Sequence, residues 1–191
     1  MNHPIESAHD FVERKALNCT PTELLSIVQN AIEEFNLKEM YLVRNDLSER
    51  CICGRLAMHL QRALDEFDTY REVYADIEYN RGCHGNDAAA KRGYNDELMI
   101  PDIIVHQRGH DPVLGYQNLI CIEMKKDKNE EGFEGDKARL KEFTDRHKGF
   151  MYRLGCMLVV YSDTEHNRIG IEIESAYVEG KQWDFCSFSD Y

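Results

Sequence analysis

The stretch NLICIEMKKDKN, residues 118–129, is an apolar run that ends in charge. Read as a strand, it alternates faces, so Glu123 and Lys125 point to one side while Ile120, Ile122 and Met124 point to the other. The Cβ atoms of Glu123 and Lys125 then lie roughly 6.5 to 7 Å apart. A carboxylate and an ammonium at that separation can share one cluster, the first on a metal ion and the second on a reacting oxygen or water. The preceding apolar segment, MIPDIIVH, carries Asp102 directly after Pro101, whose ring fixes the backbone and opens a strand without needing a ladder donor. If the two strands pair as a hairpin, Asp102 sits beside Glu123.

Two carboxylates converging with a lysine suit metal-assisted hydrolysis of a phosphodiester. Hard oxygen ligands hold Mg²⁺ or Mn²⁺ with several waters retained. The ion acidifies a bound water and offsets the charge that grows on phosphate, and the lysine orients that water or shares that charge. In this reading Met124 gives the metal only its backbone carbonyl, so its side chain is free to be apolar.

Pro101-Asp102, then 20 intervening residues, then Glu123-Met124-Lys125, resembles the motif of the PD-(D/E)XK nuclease superfamily, the restriction-endonuclease-like proteins. The resemblance implies an α/β fold with a three-layer α/β/α core and a mixed central sheet, with one helix before the first core strand and another between the third and fourth. It implies a divalent-metal-dependent endonuclease that hydrolyses DNA, in defence against foreign DNA or in repair. Asp102 and Glu123 would be the metal ligands, and Lys125 would aid the attacking water. Many members add an acidic residue from the preceding helix, and Glu49 is the matching position. The helix after the lysine commonly lends polar groups, for which Lys137, Arg139 and Lys141 are candidates. Lys126 and Arg81 are further candidates for substrate contact. The alternative is a catalytically silent nuclease-like binding or regulatory subunit of a larger complex. Relatives that have lost catalysis usually lose one of the charged residues, whereas Asp102, Glu123 and Lys125 all stand here.

Each of these residues also has an ordinary reading. Glu123 and Lys125 could form a solvated ion pair of little energetic weight, and Asp102 could cap a turn. Asp46 and Glu49 have capping-box spacing, in which Glu49 would bond back to the Asp46 N–H. That role and metal ligation exclude each other in one conformation. Cys51 and Cys53, with Cys83 and His84, could suggest zinc, but positions two apart on a helix face different directions. They read as thiols. His106 shares the strand parity of Asp102, and Tyr79, Asn80 and Arg81 end the strand before it.

The elements that must position these groups follow from periodicity. Residues 21–37 place Leu24, Ile27, Val28, Ile32 and Phe35 at helical spacing, behind Thr20-Pro21 with Glu23 three residues after Thr20. A second amphipathic helix is expected from about Leu47 to Phe67, with Ile52, Leu56, Leu60, Ala63 and Phe67 on one stripe. Val73, Ala75, Ile77 and Tyr79 alternate as in a strand with one wet face. Residues 81–97, rich in Gly, Asn and Asp, read as a long loop. After the hairpin, Leu140, Phe143, His147 and Phe150 predict a helix over residues 136–152. GCMLVVYSD and RIGIEIESA predict two more strands, the first of the fully buried kind.

At 191 residues the chain suits one domain, with a core of about 46–175 and an N-terminal helical extension of about 21–37. No apolar run is long enough to cross a bilayer, and the first residues lack the pattern of a secretory signal. Seven cysteines at irregular spacing suit reduced thiols. These features together predict a cytoplasmic protein with no membrane partner. A formal net charge of −12 weighs against nucleic acid, because sequence-independent affinity comes from Lys and Arg on phosphates. Bound divalent cations and local basic clusters such as KKDK, AAAKR and DRHK weaken that objection. A homodimer would set two sites on opposite strands. A protein partner would supply specificity or activation, because no separate sequence-reading domain is visible.

Overall fold

The computed structural model describes residues 19–67, 73–79, 99–107, 118–128, 132–148, 150–166 and 168–185. The fold is mixed α/β, with a six-stranded mixed sheet and helices packed against it. The expected loop of residues 81–97, with Asn80, Arg81, Cys83 and His84, lies outside the described residues.

Helix α1 spans Pro21–Lys38. Its start is the expected capping box: Thr20 Oγ1 accepts the Glu23 N–H at 3.2 Å, and Glu23 Oε2 accepts the Thr20 N–H at 2.7 Å. Pro21 follows at the first turn, where its missing N–H costs nothing. Near the other end, Asn36 clamps the backbone of Ile171, donating to its carbonyl at 3.0 Å and accepting from its N–H at 2.8 Å. The neighbouring Gly170 has φ +138°, and a Cβ there would stand 2.8 Å from the Asn36 amide oxygen. Glycine therefore serves both the backbone conformation and the clamp.

A short helix, α2 (Met40–Arg44), leads to α3 (Glu49–Asp65). The capping box expected from Asp46 and Glu49 does not form. Ser48 is the N-cap, its Oγ accepting the Cys51 N–H at 3.3 Å, while Asp46 takes a left-handed backbone with φ +52°. The buried stripe of α3 runs through Ile52, Leu56, Leu60 and Leu64, and the helix stops before Phe67, which is left exposed.

The strands are β1 (Val73–Ile77), β2 (Ile103–Gln107), β3 (Asn118–Lys126), β4 (Leu154–Asp163), β5 (Arg168–Val178) and β6 (Lys181–Trp183), adjacent in sequence order. All neighbours are antiparallel except β3 and β4. That parallel pair needs a crossover, which contains helix α4 (Phe133–Thr144). The helix expected over 136–152 is thus displaced toward its N-terminus. Asp145 is extended, with φ −70° and ψ 120°. Phe150 lies beyond the helix and stacks edge-on against Phe143, with ring centroids 5.2 Å apart.

Strand parity divides the core. Ile103, Val105, Ile120, Ile122, Met124, Leu158 and Val160 join the apolar residues of α1 and α3 in one cluster. Ile104, Cys121 and Met157 join Leu140 and Phe143 of α4, with Tyr152 and Tyr177, in another. Each fully buried Leu or Ile contributes about 1.5–3 kcal/mol by removal from water, so this division fixes the register of β3 firmly. Among the described residues no helix is long and apolar enough to cross a membrane.

Candidate functional site

The register places Ile103 of β2 opposite Ile122 of β3, so Asp102, immediately before β2, comes level with Glu123. Both lie on the sheet face that carries Ile104, Cys121 and α4. Two bonds fix Asp102: its carbonyl accepts the Glu78 N–H at 3.1 Å, and its side-chain Oδ2 accepts the Met124 N–H at 2.7 Å. Met124 thus meets Asp102 through its backbone. Its side chain is buried on the opposite face, where its sulfur lies 3.6 Å from the Cys53 thiol.

Glu123 is 1% exposed, which a carboxylate tolerates only with partners. Burial pushes its pKa up to about 8; the Arg139 hydrogen bond works against this, and the Asp102 charge adds to it. The Asp102 carboxyl is likewise raised by burial, against the pull of the Met124 N–H and the Lys125 charge. Ionising either of these neighbouring carboxyls is therefore costly in the metal-free protein.

Lys125, two residues along the same face, directs its ammonium to Asp136 Oδ2 at 3.3 Å. Burial would lower the Lys125 pKa, but attraction to Asp136, with smaller contributions from Glu49 and Asp102, leaves it above the ordinary lysine value. In this arrangement the residue is a cation and a donor, not a base. Its neighbour Gly132 begins α4 with φ +100°, in the left-handed region that favours glycine, and a Cβ there would lie 3.9 Å from the Lys125 Cε.

Asp136 is the site residue that sequence reasoning missed. It is 2% exposed and sits in the first turn of α4, where a carboxylate is favoured by the helix dipole. One oxygen accepts from Arg139 Nη2. The other has the Lys125 ammonium near it but no aligned hydrogen bond. The available signal was the i,i+3 spacing of Asp136 and Arg139, visible only once the start of the helix is known.

Arg139 completes the cluster, donating from Nε to Glu123 Oε1 at 3.0 Å while Nη2 holds Asp136. Glu49, at the first turn of α3, accepts the Lys126 N–H at 3.2 Å. The end of β3 is therefore where Glu49 reaches from one helix and Asp136 and Arg139 from another. The remaining candidates are engaged elsewhere. Lys126 pairs with Asp46 at 2.7 Å, and Lys137 pairs with Glu174 at 2.9 Å. His106 contacts Asp76 at 2.9 Å and stacks on Tyr79 with centroids 4.4 Å apart. Lys141 lies in the last turn of α4, where its carbonyl accepts from Thr144 Oγ1 at 3.4 Å, and Arg81 lies outside the described residues. Cys51 is exposed and Cys53 buried, so these two thiols do not converge.

Among the described residues no three His, Cys, Asp or Glu side chains form a group able to hold a metal ion. Mg²⁺ asks for less, because it commonly keeps several waters and takes one or two carboxylates. Asp102 and Glu123 fit that demand in donor type, and the charge of Glu49 is felt at Asp102 and Lys125. Comparison with models of known protein families, with curated proteins and with solved structures finds no match.

Proposed function

We propose that the chain is a divalent-metal-dependent endonuclease of the PD-(D/E)XK kind acting on DNA, built on a restriction-endonuclease-like three-layer core. The observation that carries this reading is the juxtaposition of Asp102 and Glu123 on one face of adjacent strands, with the Lys125 ammonium beside them. Mg²⁺ or Mn²⁺ would be held by Asp102, Glu123 and the Met124 carbonyl, with Glu49 as a further candidate ligand. Bound there, the ion would acidify a water and offset charge on the scissile phosphate. Lys125, held cationic by Asp136, donates to the attacking water or to a phosphate oxygen. Burial of Glu123 at the foot of the site keeps the electrostatics strong. The expected setting is the cytoplasm, as a homodimer or with a protein partner that lends specificity.

The test is cleavage of linear, circular and single-stranded DNA, and of RNA, with Mg²⁺ or Mn²⁺, comparing wild type with Lys125→Ala. Metal-dependent cutting of DNA by wild type alone is expected. Equal cutting by the variant would overturn the reading.

A second reading, a catalytically silent nuclease-like binding or regulatory subunit, is favoured by one observation: Arg139 already occupies the Glu123 carboxylate. Stable association with another protein, unaffected by Asp102→Asn and without cleavage of any nucleic acid, would select it.

A further inference from the structure

Arg139 stands where a metal ion would need to act. It donates to Glu123, the proposed inner ligand, and holds Asp136 with a second nitrogen. The two carboxylates differ from the guanidinium in exposure: the side chains of Glu123 and Asp136 are 2% and 3% exposed, whereas that of Arg139 is 34% exposed. The acids are fixed in the interior while the cation borders solvent, so it is the cation that has room to leave. Arg139 also has two separate anchors. Losing the one on Glu123 leaves the one on Asp136, three residues back on the same helix, intact.

We propose that Arg139 is a displaceable counter-ion of the metal site. It holds Glu123 by a hydrogen bond from Nε while no metal is bound. When a divalent cation takes that carboxylate, Arg139 stays tied to Asp136 and presents its guanidinium to the phosphate of the substrate. Like charge drives the release, since the metal and the guanidinium compete for one carboxylate. The planar fork of donors suits phosphate oxygens in the position it would then take. Asp136 is the positioning residue in this exchange, holding Lys125 and Arg139 on one carboxylate. The inference rests on the metal-site reading given above and names how that site is regulated.

The experiment follows two NMR signals of the wild-type protein during titration with Mg²⁺. One is the backbone amide of Met124, which donates to Asp102 and reports arrival of the metal. The other is the Arg139 Nε–H, assigned by its absence from Arg139→Gln. Both signals should move in step. Removal of the competing cation in Arg139→Gln should tighten Mn²⁺ binding about three- to tenfold, read by electron paramagnetic resonance, while cleavage at saturating Mn²⁺ falls. A Met124 amide that moves while the Arg139 signal stays fixed would overturn the displacement and leave the metal site standing. Neither signal moving at high Mg²⁺ would overturn the metal site and this inference with it. Unchanged Mn²⁺ affinity in a folded Arg139→Gln would also overturn the displacement.

Discussion

The two faces of β3 are made from alternating residues of one nine-residue strand, and they do opposite things. Ile120, Ile122 and Met124 enter an apolar cluster with α1 and α3. On the other face Cys121 is packed under α4, but Glu123 and Lys125 meet Asp102, Asp136 and Arg139. The first face holds the strand in register. The second uses that fixed register to bury charge that would be costly if it were merely packed. The molecule therefore gives up on one face some of the stability that it gains on the other, which is what the proposed metal site would require.

Substitutions on each face should separate these roles. On the charged face, Lys125→Ala should lower the rate of metal-dependent cleavage by at least about a hundredfold, measured on folded protein at saturating metal and DNA, and should also lower the thermal midpoint because Asp136 loses a partner. A fall in stability without a specific loss of rate would make the charged face structural. On the apolar face, Ile122→Ala should cost about 2–5 kcal/mol in urea denaturation, and should leave metal affinity of the folded protein near wild type.

The charged face was partly legible in the sequence, for a physical reason. Strand parity is strict, so the alternation in NLICIEMKK put Glu123 and Lys125 on one side without knowledge of the fold. Pro101 marked where the partner strand starts. Asp136 and Arg139 were harder, because their approach depends on where α4 begins. The helical spacing continues through His147 and Phe150, yet Asp145 turns extended and the helix instead begins at Phe133. At α3, two caps competed for one terminus. Ser48 won, which left the Glu49 carboxylate to accept from Lys126 on β3. The short α2 and the three-residue β6 carry too few residues for periodicity to appear.

The buried carboxylates also make the comparison testable through pH. The Glu123 pKa, about 8 in the folded chain, lies above its ordinary value of 4.5, and Asp102 is raised as well. Between those limits the folded state binds more protons than the unfolded state. Stability of the metal-free protein should thus fall as pH rises from about 4.5 through 8. Mg²⁺ replaces the proton on the carboxylate, so the stabilisation it confers should grow across the same window. Thermal melts with chelator or with excess Mg²⁺ check both signs. A metal-free midpoint that rises through this range would contradict the raised pKa of the buried carboxyls.

The smallest effect is expected far from either face of β3. Thr20→Ala removes the cap of α1 and should cost about 1 kcal/mol, with cleavage by the folded protein unchanged. A large loss of activity there would mean that α1 does more than cover the apolar face.

Most direct for the central claim is nicking of covalently closed circular DNA by wild type, Asp102→Asn and Lys125→Ala, each shown folded, with Mg²⁺ or with chelator. The account predicts open circles from wild type with Mg²⁺ and intact DNA in every other lane. Nicking that survives Asp102→Asn or the chelator would contradict it.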